Sequence, residues 1–173
     1  MGRRSILALK FNMTATSSAS FRPALAAAKF GGLALAATIA FLPLAACSDE
    51  NKAVLHTSTG DYTFNVEVVD TNETRAKGLM FRQELAKDAG MLFDFLSERN
   101  TSFWMQNTFI PLDMVFIAAD GTVKTIHVNA RPLDTTPISS EVPVQFVLEI
   151  PGGRSQEIGL KVGDKFEHDR VKK

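Results

Sequence analysis

A mainly β domain, an antiparallel β-sandwich or partly closed β-barrel carrying one or two short helices, is the fold this sequence predicts. Short runs in which apolar and polar residues alternate are the first observation behind it. The second is turn chemistry between those runs, with Asp120-Gly121 the clearest hairpin signal. The third is the shortage of long helical periodicity, which removes the strand–helix alternation of a parallel α/β sheet. With 173 residues, 45% of them hydrophobic, the chain has material for one globular core.

Val54 to Ser58 reads as a strand and Thr59-Gly60-Asp61 as its turn; Tyr62, Phe64, Val66 and Val68 then alternate with polar residues, completing a half-buried hairpin. Asp70 and Glu73 have the spacing of a capping box, Arg75, Ala76 and Lys77 favour helix, and Gly78 stands where a two-turn helix would stop. Gly90 to Phe95 and Ser102 to Asn107 read as strands, with turn residues Ser97-Glu98-Arg99-Asn100 between them. Leu112 to Ala119 is apolar on both alternating faces, which predicts a central strand. Asp120-Gly121 folds it back onto Thr122 to Val128. After a Pro-containing loop from Asn129 to Glu141 comes a strand marked by Val144, Phe146, Leu148 and Ile150. One helical turn within Pro151 to Gly159 and a strand around Lys165-Phe166-Glu167 finish the domain.

The first 46 residues read as a targeting segment and are set apart from the fold. Arg22 and Lys29 form a basic flank, Gly31 to Leu42 an apolar stretch, and Leu44-Ala45-Ala46-Cys47 its end; Met13 is an alternative start. The stretch is shorter than the roughly 18 residues of a spanning helix. Leu-Ala-Ala-Cys resembles the bacterial lipobox, which implies a mature protein beginning at an acylated Cys47 and held to a membrane by lipid. Ser48 in place of Asp favours the outer over the inner membrane by the same resemblance, with the domain facing the periplasm. Residues 47–53 then serve as a polar tether and 54–173 as the single domain. Five of the 19 basic residues precede Cys47 and every acidic residue follows it, so from Cys47 onward 14 cations face 19 anions. That balance excludes nucleic acid as the expected partner.

Arg75, Gly78-Leu79-Met80, Arg82, Gly90-Met91-Leu92-Phe93, Phe103-Trp104-Met105, Asn107-Thr108, Ile110-Pro111-Leu112-Asp113, Phe116 and Gly163-Asp164 together resemble an uncharacterised prokaryotic family, domain of unknown function 192. The resemblance covers nearly all of the mature chain. It implies a compact β-rich domain, frequently secreted or membrane-anchored, with no established activity. Gln106 stands where members of the family often carry Lys.

Asp113 directly precedes an apolar run, and a carboxylate in such a place needs a partner. Arg75 and Arg82 are the expected cations, because a guanidinium holds a carboxylate bidentately and keeps donors for a ligand. Asn107 and Thr108 would complete the polar cluster, and Trp104 would form a wall for a small polar or anionic ligand. The competing reading is an Arg–Asp pair tying helix to sheet, with Trp104 packed in the core. Strand alternation would send Phe103, Met105 and Asn107 to one face and Trp104, Gln106 and Thr108 to the other.

Met80, Met91, Met105 and Met114 invite a Cu(I) reading, although thioethers in apolar strings are more often core filler. His56, His127 and His168 have no zinc spacing, and no metal or cofactor is expected. His168 is placed in a frayed basic tail. No nucleophile elbow or phosphate loop is present, so an enzyme would have to use carboxylates such as Asp113 with Glu149 or Asp94. Glu149, between Leu148 and Ile150, reads equally well as an exposed strand residue. The sequence thus predicts a lipid-anchored envelope protein, more a binding domain for a small ligand or envelope protein than a catalyst. A carboxylate hydrolase and a copper carrier are the alternatives.

Overall fold

The computed structural model describes residues 51–171, all within one compact unit spanning residues 44–173. Cys47 and the targeting segment lie outside the described residues. Nine strands and two short helices are described: β1 (Lys52–Thr57), β2 (Gly60–Val69), α1 (Asn72–Lys77), β3 (Ala89–Arg99), β4 (Ser102–Phe103), β5 (Leu112–Ile117), β6 (Val123–Ala130), β7 (Ile138–Ser139), β8 (Val144–Pro151), α2 (Arg154–Glu157) and β9 (Lys165–Glu167). The fold is mainly β, as the alternating runs predict.

Seven strands form one curled sheet in the order β6-β5-β8-β3-β2-β1-β9, and β4 with β7 forms a small second one. The β1–β2 and β5–β6 hairpins stand where the turn residues put them. Asp120 Oδ1 accepts the Thr122 amide at 2.9 Å and fixes the second turn. One pair departs from the hairpin pattern. β2 and β3 run parallel, with Val66 beside Gly90 and Val69 beside Phe93. A parallel pair needs a long crossover, and α1 with the segment after it supplies one.

The helix cap also differs from its expected form. Thr71, not Asp70, caps α1: its hydroxyl accepts the Thr74 amide at 3.2 Å, and the Thr74 hydroxyl accepts the Thr71 amide at 3.2 Å. Asp70 instead pairs with Arg170 at 2.8 Å. Gly78 does end the helix. At φ 47° it packs so close to Phe93 that a Cβ there would stand 3.2 Å from the ring.

The edges of the large sheet meet at one corner. Thr122 bridges to Lys165, the Val123 amide donates to the Asp164 carbonyl at 2.9 Å, and the Phe166 amide to the Gly121 carbonyl at 2.8 Å. The curl therefore closes in part, leaving less open edge for stray pairing. Inside it lies one core, built from Leu55, Phe64, Leu92, Val115, Phe146 and Leu148 among others. A second core lies on the opposite face, where Met91, Phe93, Met114, Phe116 and Val147 are covered by Leu79, Met105 and Ile110. Phe103 fastens β4 to this outer face, its ring edge-on to Phe93 at 5.0 Å and to Phe116 at 6.1 Å. Because both faces of β5 are covered, all six of its residues are buried.

Candidate functional site

The expected strand from Ser102 to Asn107 stops after Phe103, because Asn107 takes a positive φ of 56° and the Thr108 amide turns back to the Met105 carbonyl. Strict alternation is lost with it. Met105 and Thr108 go inward, and Trp104 stays 55% exposed instead of packing in the core.

Asp113 is fully buried, but no arginine holds it. Oδ1 accepts the amides of Asn129 and Gly153 at 2.7 Å each, and Oδ2 accepts the Ser155 amide at 2.7 Å and hydroxyl at 2.5 Å. The carboxylate ties β5 to the end of β6 and the start of α2. Arg75 is engaged elsewhere, donating to the carbonyls of Asp70 and Asp94 and to Asn72 Oδ1, with its guanidinium 5.2 Å from the Phe95 ring centre. Arg82 pairs with Glu67 at 2.5 Å, which holds that carboxyl below the usual carboxylate range and raises the guanidinium. The Asn107 side chain donates to the Met80 sulfur, at 3.9 Å, and to no other described residue.

The predicted set is therefore split. Arg75, Trp104 and Thr108 line one pocket of about 310 Å³ on the outer face, whereas Arg82, Asn107 and Asp113 do not. Lys77 and Arg99 join the wall, and Arg99 lies 5.8 Å from the Phe95 ring centre. Glu149 joins it as well. The residue is only 4% exposed, and its carboxyl makes no hydrogen bond or ion pair with any described residue. Burial pushes its pKa up to about 8. At neutral pH it is chiefly a carboxylic acid, an O–H donor facing a pocket whose wall carries cations.

Sheet register separates Glu149 from Asp113. Asp113 stands beside Ile150 and Met114 beside Glu149, so the two carboxyls project from opposite faces. They cannot flank one bond, which removes the Asp113–Glu149 pair from a hydrolase reading. Of the four methionines, Met80 lines the pocket while Met91, Met105 and Met114 are buried in the outer-face core. Among the described residues no group of three or more His, Cys, Asp or Glu could hold a metal ion. His168 is not frayed: it is buried and stacked on Phe166 with ring centres 6.1 Å apart.

Glu149 was open to sequence reasoning through one signal. Phe146-Val147-Leu148 and Ile150 flank it with apolar residues at both alternating positions, the mark of a strand covered on both faces, where alternation no longer implies exposure.

Among solved structures, a Sinorhizobium meliloti 1021 protein provisionally described as a transcription regulator is 42% identical, with a TM-score of 0.68 over 69% of this chain and 94% of that one. A protein of unknown function from Novosphingobium aromaticivorans DSM 12444 is 41% identical, with a TM-score of 0.66 over 67% of this chain and 83% of that one. No curated protein matches the chain. Residues 54–168 match the family described as "Uncharacterized ACR". The chain thus belongs to the family of domain of unknown function 192.

Proposed function

We propose that this protein is a non-catalytic, lipid-anchored envelope domain that faces the periplasm and holds a small anionic molecule in the pocket above Glu149. One observation carries the reading: a carboxyl buried on a residue only 4% exposed, with no hydrogen-bond or ion-pair partner among the described residues, lies against a pocket walled by Arg75, Lys77 and Arg99. Such a donor is costly to bury unless something accepts from it. An anionic ligand would draw its charge complement from the cations and place an acceptor oxygen on the Glu149 O–H. Trp104 and Phe95 would cover its apolar body.

Benzoate is a simple probe with these features. The expected result is saturable binding in isothermal titration that persists in Glu149→Gln, which keeps a donor, and is lost in Glu149→Leu. Affinity should fall as pH rises past about 8, where the ionised carboxyl repels the anion. Binding indifferent to both substitutions and to pH would place the ligand elsewhere.

The anchor belongs to the same reading and is supported by the lipobox-like run ending at Cys47. No helix among the described residues is long and apolar enough to cross a membrane. Labelled palmitate should enter the wild type and not Cys47→Ser, and density fractionation should recover the protein with outer membrane. Fourteen cations against 19 anions from Cys47 onward give no reason to extend the regulator description of the Sinorhizobium protein to this chain.

A further inference from the structure

The pocket over Glu149 has two ends of different chemistry. Its floor is dry, formed by the buried residues Glu149, Leu79, Phe93 and Thr108. Its rim carries Arg99, Thr101 and Ser102, close together in the chain where β3 gives way to β4, with Arg99 and Ser102 exposed.

The two arginines of the wall are not equivalent. Arg75 directs its guanidinium to the carbonyls of Asp70 and Asp94 and to Asn72 Oδ1. Arg99 makes no hydrogen bond or ion pair with any described residue, and its guanidinium lies 5.8 Å from the Phe95 ring centre. Arg75 lies over the same ring, so positive charge gathers at this end of the pocket. The Thr101 and Ser102 hydroxyls likewise make no hydrogen bond with any described residue. The open fork of donors is therefore at Arg99.

Register separates the two ends. Arg99 stands beside Val144 on β8, five residues from Glu149, which is roughly 17 Å along the strand. Both side chains line the pocket, so it is elongated, with an acid O–H at one end and a guanidinium at the other. Between them the Phe103 ring stands edge-on to Phe93 at 5.0 Å and to Phe95 at 6.2 Å, an apolar wall. The span left between two long side chains is that of a chain of roughly four to six methylene groups.

One acidic group cannot engage both ends. We infer that the molecule held here is an elongated dicarboxylate: one carboxylate accepts the Glu149 O–H at the floor, and the other lies on the Arg99 guanidinium at the rim. A guanidinium fork matches a carboxylate in two parallel hydrogen bonds, and the hydrocarbon between the acids rests on the phenylalanine rings. The inference rests on the small-anion reading of the pocket and adds to it the second acid group and the residue that receives it.

The full chain, kept in detergent, is titrated calorimetrically at pH 7 with hexanoate against adipate and with octanoate against suberate. Each pair differs by the second carboxylate alone. At least one diacid is expected to bind about tenfold tighter than its monoacid, the effect of one charge-assisted pair. That advantage should vanish in Arg99→Gln and persist in Lys161→Gln, which removes an exposed cation outside the pocket and controls for net charge. Thermal unfolding checks that both variants fold. Diacids that gain nothing over their monoacids, or an advantage that survives Arg99→Gln, overturn the inference and leave the small-anion reading standing. If benzoate, the monoacids and the diacids all fail to bind, the small-anion reading falls and this inference with it.

Discussion

Two acidic residues separated by one sheet have opposite fates. The Asp113 carboxylate receives four hydrogen bonds, three from backbone amides, and the Glu149 carboxyl makes none with any described residue. Asp113→Ala leaves those amides buried without an acceptor and should cost about 3–5 kcal/mol in chemical denaturation. Benzoate titration of whatever remains folded should be unaffected, because Asp113 does not line the pocket. Glu149 acts on stability with the opposite sign to an ion-paired carboxylate. Its folded pKa of about 8 lies above the ordinary 4.5, so the folded protein binds the proton more tightly than the unfolded chain does. That contribution is fully present below pH 4.5 and is lost as pH rises through about 8, a change on the order of 5 kcal/mol. Glu149→Gln should remove the loss: relative to wild type, the variant gains stability between pH 5 and pH 9. Parallel curves for the two proteins would show that the carboxyl is not buried in its neutral form.

At the scale of elements, strands bounded by strong local chemistry were legible in the sequence, and contacts made over long chain distances were not. Asp120-Gly121 sets its own hairpin, and the successive apolar residues Met114 to Ile117 mark β5 as covered on both sides. Nothing local requires β2 and β3 to run parallel; their pairing follows from packing the crossover onto the outer face. The same face turns the expected strand after Phe103 into a loop, because burying Met105 and Thr108 together breaks alternation. Gly90 shows how tightly this pairing is set. A Cβ there would stand 2.7 Å from the Glu149 carbonyl, so neither strand could keep its spacing. Gly90→Ala should cost about 1–3 kcal/mol in thermal unfolding and disturb the Glu149 environment as well. Full stability in that variant would mean the strands are less closely paired than described.

Over the whole molecule, the sheet makes two cores and so two kinds of buried acid. The interior of the curl packs hydrocarbon, and Asp113, a carboxylate buried on that side, fastens α2. The outer face is covered by short segments, β4, β7 and the loops around them, which leave a pocket over Glu149. Family membership was legible from motif residues; half of the pocket's lining comes from them, but Glu149, Lys77 and Arg99 do not, and Asp113 is not in the lining at all. Motif spacing says which residues recur in a sequence pattern. Only the register of β5 against β8 says on which side of the sheet each one acts. Arg75 and Lys77 share α1, but Arg99 ends β3, so the convergence of all three on one pocket was not readable.

The central claim, a neutral Glu149 acting as donor to an anion, is tested most directly by following its carboxyl carbon by ¹³C NMR across pH, with and without benzoate. Assignment comes from the resonance that disappears in Glu149→Gln. The account predicts a midpoint near 8 in the free protein, moving higher when a bound anion lies next to the proton. A midpoint near 4.5 that benzoate does not move would contradict it.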